Sequence, residues 1–420
     1  MDLENTDDDY VRSSSRVETR KNWLLIKYDD PSLSQLSVCF NRTRDIFWGD
    51  RNLPIRIVNA EIGEVGRDIG TNTHLMTLKL DGRYHYDIAE TRLKCQLLCE
   101  GVGENRSIET LSFSRFKEHG GEICQFFSTF MENNNNCRRI ACHLCYFNRE
   151  EIKSLASALT RRRVPLQELK LWCCGIDDDL VKLLMMAFME NPTMTPKVLN
   201  LGDNRNIGEI GCESIANLLK DPMCRVEDFS LCENTWTDNP SAILLANAFL
   251  NNKTLKKINL TGTEITATGF KALLESVCNL TTINSTYNSN HTLQVIKHSV
   301  CDWLNETYKL DEILEEDLDL KEYLDWNMNE NKKMVARKKV FMKHFIQNFS
   351  FTPFEEMKPE LLVRVLVFMD RASVENGGVT NDRARNLIIL HLLTNNPTKD
   401  RNTAKLGPSN SDNDRKRKHD

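Results

Sequence analysis

Several things are missing from this 420-residue chain, and each absence removes a class of function. No run of residues approaches the ~20 consecutive apolar positions that a membrane-crossing helix requires. A basic excess is missing too: 55 Lys and Arg stand against 60 Asp and Glu, a net charge of −5. The broad positive field that carries nucleic-acid binders is therefore absent, and any nucleic-acid role would have to be local. A nucleophile paired with a base does not stand out, nor does a phosphate-cradling loop. The glycine pairs Gly63/Gly66 and Gly101/Gly103 lack the GxGxxG or GxxxxGK[ST] context and read as turns. No enzyme and no cofactor are expected. The opening MDLENTDDDYVRSSSR is acidic and polar where a signal peptide is basic and then apolar. A soluble, intracellular and cytoplasmic protein is the expectation, with the nucleus as an alternative through the basic cluster Arg415, Lys416, Arg417 and Lys418.

What is present is an ordinary globular balance, 40% hydrophobic and 27% charged, enough to build a core. At ~100 to 200 residues per domain the length predicts two or three domains, unless the chain is a repeat array. A repeat is visible. An apolar-x-apolar pair, with an apolar residue three before it and a small polar residue or Cys five after its first member, recurs along the middle of the chain. Its anchors are Leu111, Ile140, Leu169, Leu199, Phe229, Ile258 and Ile283, separated by 29, 29, 30, 30, 29 and 25 residues. Alternate apolar residues put one side of a short strand inward. Between anchors run stretches of period 3.6, such as Ile123/Phe126/Phe127/Phe130, Ile152/Leu155/Leu159, Leu180/Leu184/Phe188 and Phe270/Leu273/Val277, which predict one helix per repeat. Weaker copies lie upstream, at Leu33-x-x-Leu36-x-Val38 with Asn41, at Ile55-x-Ile57 and at Leu75-x-x-Leu78-x-Leu80.

The pattern resembles leucine-rich repeats, LxxLxLxxN/CxL, and the ~29-residue period is similar to the ribonuclease-inhibitor-like class. The resemblance implies a right-handed α/β horseshoe with a parallel concave sheet and outer helices. Five segments are expected: a disordered tail over 1–20; degenerate N-terminal repeats acting as a cap over 21–106, or a separate small β-rich domain; the main repeats over 107–292; a helical C-terminal cap over 293–394; and a disordered, basic-ended tail over 395–420. Within the cap, helices are expected from Leu293 to Leu310, near Asp311 to Trp326, along a basic stretch with a Met334, Val335, Val340, Phe341 and Phe345 stripe, and over 353–370 and 381–393. Proteins of the resembled class typically bind other proteins, so the resemblance implies a non-enzymatic scaffold. One branch stimulates a small GTPase, which makes a regulator of a Ran-type GTPase the alternative.

Two residue groups invite a chemical reading and receive a structural one. Cys137, Cys142, His143 and Cys145 contain a CxxC motif, with Cys173 and Cys174 further on. The thiols fall on inward or ladder positions of the repeat while His143 points the other way, which argues against a converging zinc site. Asp177, Asp178 and Asp179 lie where a strand's loop leads into a helix, and capping explains them. The informative surface is the strand face. Residues between the inward pairs project from a ladder ~4.8 Å apart: Arg139, His143, Lys170, Trp172, Asp228 and Lys257, with Asp203 and Glu233 just beyond the strands. These eight residues are the candidate contact set for a protein partner. Trp172 is the sharpest of them, either an interface anchor or a ring packed on its own sheet.

Overall fold

A strand whose i and i+2 side chains are apolar has to set that side against another layer. In the computed structural model the described residues form eleven strands in one open sheet. They are β1 (Gln35–Cys39), β2 (Asp45–Gly49), β3 (Pro54–Ile57), β4 (Thr77–Asp81), β5 (Thr110–Ser114), β6 (Arg139–His143), β7 (Glu168–Trp172), β8 (Val198–Asn200), β9 (Asp228–Ser230), β10 (Lys257–Asn259) and β11 (Val295–Lys297). The spatial order is β11-β10-β9-β8-β7-β6-β5-β4-β1-β2-β3. β1 and β4 to β11 run parallel, while β2 and β3 join antiparallel at one edge. The structure describes residues 24–39, 45–49, 54–57, 62–82, 96–116, 126, 129–131, 133–298, 323–340 and 343–344. The expectations for both tails, Arg415 to Lys418, Asn41, Ile123, Phe127, Phe341, Phe345, residues 311–322 and the helices beyond 352 lie outside them.

The chain divides into two units, Met1–Asn279 with Ser289–Lys332, and Leu280–Asn288 with Lys333–Asp420. The first is an α/β solenoid. Its helices are α1 (Ile62–Thr71), α2 (Arg149–Arg161), α3 (Asp178–Glu190), α4 (Glu209–Lys220), α5 (Asn239–Asn251) and α6 (Ala267–Val277). Each buries one stripe, as with Ile152, Leu155 and Leu159 of α2 or Phe270, Leu273 and Val277 of α6. Pairing sets Leu36, Leu78, Leu111, Ile140, Leu169, Leu199, Phe229, Ile258 and Ile296 in one lateral row. All but Ile296 are fully buried, and each such side chain contributes about 1.5–3 kcal/mol of transfer free energy.

Four sequence expectations need correction. The last member of the row is Ile296, not Ile283, which lies in the short helix α7 (Ile283–Asn288) of the second unit. The stretch after Leu293 opens with β11 rather than with a helix. Ile55 and Ile57 lie on the antiparallel edge strand β3, outside the parallel repeat. The glycine pairs are turns only at Gly103: Gly63 and Gly66 are inside α1, and Gly101 is in the helical stretch that begins at residue 96. A Cβ on Gly101 would stand 2.1 Å from the carbonyl carbon of Gly66, and one on Gly70 would stand 2.2 Å from the Gly101 oxygen. Backbone meets backbone here, and only glycine allows that approach.

Two polar ladders satisfy the backbone where strands start and stop. At the strand ends, Asn204 Nδ2 donates to Leu171 O at 2.7 Å and Leu201 O at 2.9 Å, and its Oδ1 accepts from the Cys174 and Ile176 amides. Asn234 and Thr263 occupy the same place one and two turns on, while Cys174 donates its thiol to Cys142 O. Phe116 fills this place after β5, edge-on to Phe113 at 5.9 Å. The second ladder escapes the sequence reading. Six residues before the row stand Asn72, Asn105, Asn134, Asn252 and Asn290, all buried. Asn105 is representative: Nδ2 donates to Ile69 O and Asn72 O, and Oδ1 accepts from the Ser107 and Ile108 amides. Asn327 extends the series, donating to Asn290 O and Leu293 O.

In the second unit, α8 (Lys332–Val340) buries Val335, Ala336 and Val340. Its inner side departs from the expected apolar stripe, because Lys339 is buried while Met334 is exposed; Lys343, beyond the helix, is buried too. His344 is buried as well, with Nε2 2.7 Å from Thr286 Oγ1 of α7.

Candidate functional site

Pleating sends one set of side chains of β6 and β7 into the core and leaves the alternate set on the open face. Arg139 and His143 of β6 are exposed while Ile140 and Cys142 are buried, and Trp172 of β7 is 37% exposed beside buried Leu171. The parallel register pairs Arg139 with Glu168, Ala141 with Lys170 and His143 with Trp172. Further along, Asp228 pairs with Lys257. Opposite charges thus sit side by side across neighbouring strands.

The sheet brings most of the candidate set together and changes how some of it presents. Lys170 forms an ion pair with Glu168 of its own strand, so it does not stand as an isolated cation. Arg139 Nη1 donates to Thr110 Oγ1 at 3.3 Å. The Trp172 and His143 rings meet edge to face, centroids 6.4 Å apart at 89°. Packing and exposure therefore coexist at Trp172: one ring edge is covered by His143 and over a third of the residue faces water. A flat aromatic surface held in one orientation is what an interface anchor needs, since its rotamer entropy is already lost.

Asp203 and Glu233 arise from a backbone rule. From Leu111 to Ile258, the residue four after each row member adopts left-handed geometry: Arg115 (φ 62°), Leu144 (56°), Cys173 (51°), Asp203 (53°), Glu233 (59°) and Gly262 (74°). That turn aims each amide at the next strand's carbonyl, as with Asp203 N to Cys232 O and Glu233 N to Thr261 O, both 2.7 Å. These bonds repay the cost of about 1–2 kcal/mol per left-handed residue. Asp203 pairs with Arg205 Nε at 3.2 Å. The Glu233 carboxylate lies over Gly262, where a Cβ would come within 2.6 Å of it.

The cysteines behave as structural thiols in the geometry. Cys137, Cys142, Cys145 and Cys174 are buried, and Cys145 and Cys174 donate to the carbonyls of His143 and Trp172 respectively. Burial pushes the Cys137 thiol up to about 11 and the Cys212 thiol to about 12, and it raises Cys174 as well. Cys145 is shifted down, chiefly by its hydrogen bond with Cys142. Among the described residues no group of three or more His, Cys, Asp or Glu side chains could hold a metal ion. Asp177 caps its own helix at Leu180 N, and Asp178 Oδ1 accepts from Gly208 N and Gly211 N of the following turn.

One exposed group was missed because attention to strand residues passes over loops. Trp236, in the loop after β9, is 60% exposed, and Ile210 at the start of α4 is 57% exposed. The available signal was a tryptophan two residues after the ladder asparagine Asn234, a position facing neither core nor strand.

No family model matches the chain. It is 26% identical over 172 residues to NACHT, LRR and PYD domains-containing protein 13 of Homo sapiens, a match covering 38% of this chain and 16% of that protein. It is 27% identical over 161 residues to NACHT, LRR and PYD domains-containing protein 14 of Mus musculus, covering 37% of this chain and 16% of that one. The chain thus spans about a sixth of the length of these relatives. A crystal structure of the Rad7 and Elc1 complex in yeast is similar at 16% identity and a TM-score of 0.36, over 57% of this chain and 60% of that one. With the parallel strand-and-helix repeat, the sequence relatives support a leucine-rich-repeat type of protein. Among the described residues no helix is long and apolar enough to cross a membrane.

Proposed function

We propose that the chain is a non-enzymatic interaction scaffold of the ribonuclease-inhibitor-like repeat class, binding a protein partner on the open strand face. The partner meets Trp172, Lys170, Arg139, His143, Asp203, Asp228, Glu233 and Lys257. The observation that carries the reading is the oriented, part-exposed Trp172 on a sheet whose neighbouring strands carry paired opposite charges. Such a surface is rigid before binding, so little conformational entropy is lost when a partner docks. Mixed charge gives register and specificity more than raw affinity. The reading extends to an intracellular site of action, in the cytoplasm or, through Arg415 to Lys418, in the nucleus, with no nucleic acid as ligand.

The test is affinity capture from native extract with the wild-type chain beside a Trp172→Ala/Lys170→Glu variant whose circular dichroism is unchanged. A partner held by the wild type and weakened about tenfold or more by the variant is the expected result. Equal retention of every captured protein removes the strand-face assignment. Stimulated GTP hydrolysis by a Ran-type GTPase on addition of the chain would replace the scaffold with the regulator reading.

A further inference from the structure

We propose that the rim formed by the loops after β8, β9 and β10 docks a Lys/Arg-rich segment of a protein partner, with Trp236 as its anchor. The proposal rests on the interaction reading above but uses a surface outside the strand-face set, apart from Asp203 and Glu233, which border both.

Trp236 is held out by a pinned loop. On one side Asn234 is fully buried and donates to Leu201 O, Leu231 O and Cys232 O. On the other, buried Thr237 donates its hydroxyl to Ile207 O, and its own carbonyl accepts from Glu264 N. The backbone on both sides is tied to neighbouring turns, yet the indole faces water. Gly208 of the previous loop runs alongside: a Cβ there would stand 3.7 Å from Trp236 Cβ. Two residues on is exposed Ile210. An exposed aromatic ring on a pinned loop, with an exposed aliphatic residue two positions beyond the adjoining glycine, supplies the apolar half of a docking site.

Charge supplies the other half. Arg205 is the single cation among residues 201–208, 231–238 and 260–266, and Asp203 engages it. Against it stand Glu233 and Glu264 in the loops and Glu209 at the start of α4, exposed and without an ion-pair partner among the described residues. The strand face differs, because there Glu168 and Lys170 satisfy each other. Unpaired carboxylates around an exposed indole complement a cationic side chain twice, through the carboxylates and through the negative face of the ring.

The experiment uses the full chain and two fluorescein-labelled peptides of about a dozen residues, one alternating Arg with Leu and Ser, the other carrying Glu in place of every Arg. Anisotropy is read at about 0.15 M salt, where long-range attraction is screened. The Arg peptide is expected to bind and the Glu peptide not to bind. Trp236→Ala should weaken the Arg peptide about tenfold or more. Glu233→Gln/Glu264→Gln should weaken it and flatten its salt dependence, with the melting temperature unchanged in both variants because the altered groups are exposed. Absence of Arg-peptide binding, or binding that Trp236→Ala leaves intact, overturns the proposal. Loss of peptide binding in the Trp172→Ala/Lys170→Glu chain instead moves the basic segment to the strand face, which overturns the rim while the interaction reading stands.

Discussion

Asn105 shows how much a single side chain carries in a repeat. It is fully buried and makes five bonds, two donated to the preceding turn and three accepted from its own, from two amides and the Ser107 hydroxyl. Asn105→Ala removes one partner from each of two carbonyls and two amides, with the Ile108 amide at a buried site. The loss should be about 2–4 kcal/mol, seen as a lower urea midpoint with an unchanged slope. Asn136→Ala is the control: it too ends a backbone bond, to Arg106 O, but at an exposed site where water replaces it, and it should cost under about 1 kcal/mol. Why the strand-end ladder was legible and this one was not follows from composition. Asn204, Asn234 and Cys174 recur beside an apolar alternation that draws the eye, whereas Asn134 stands in the run Asn133 to Asn136, where only one of four identical residues is the buried ladder member. The same holds at the candidate site. Exposure of Trp172 could be read from strand alternation, but its edge contact with His143 and the Lys170–Glu168 pair depend on the lateral register.

Elements were legible where period and spacing agreed, and misread where one imitated the other. Ile283 stands 25 residues after Ile258, near enough to a repeat length to pass for the next strand. Asn290-x-x-Leu293-x-x-Ile296 carries the buried asparagine and the leading apolar positions instead, and the intervening helix α7 belongs to the second unit. Glycine was misjudged for a related reason: a pair without a phosphate-loop context suggests a turn, while only packing shows that two helical backbones touch. The two kinds of helical glycine predict effects of opposite sign. Gly101→Ala would drive a methyl to 2.1 Å from the Gly66 carbonyl carbon, so the helices must separate, at about 3 kcal/mol or more. Gly63 has only the Arg67 guanidinium within reach, at 3.8 Å, so Gly63→Ala should stabilise by about 0.5–1 kcal/mol through helix propensity. Thermal melts of the two variants should move to opposite sides of the wild type.

At the scale of the whole molecule, the two units have different sensitivities. The solenoid is a stack in which each turn is tied to its neighbours by the parallel ladder and the asparagine rows, so its stability is close to a sum of unit and interface terms. Its titratable side chains lie mostly on open faces. The second unit buries an imidazole: His344 sits against Thr286 Oγ1, and burial holds its pKa down at about 4 against an ordinary value of 6.5. The folded state therefore keeps His344 neutral over a range where the unfolded chain takes up a proton. Stability from this group is fully present above about pH 6.5, falls as pH drops from there towards 4, and falls no further below 4, where both states are protonated. Unfolding of the second unit, followed by hydrogen exchange at the α7 amides, should become easier across that interval. His344→Gln keeps a polar group near Thr286 and removes the titration. In that variant α7 protection should be lower than wild type at pH 7 but flat between pH 6.5 and 4, and a wild-type profile equally flat would show that His344 does not carry the dependence.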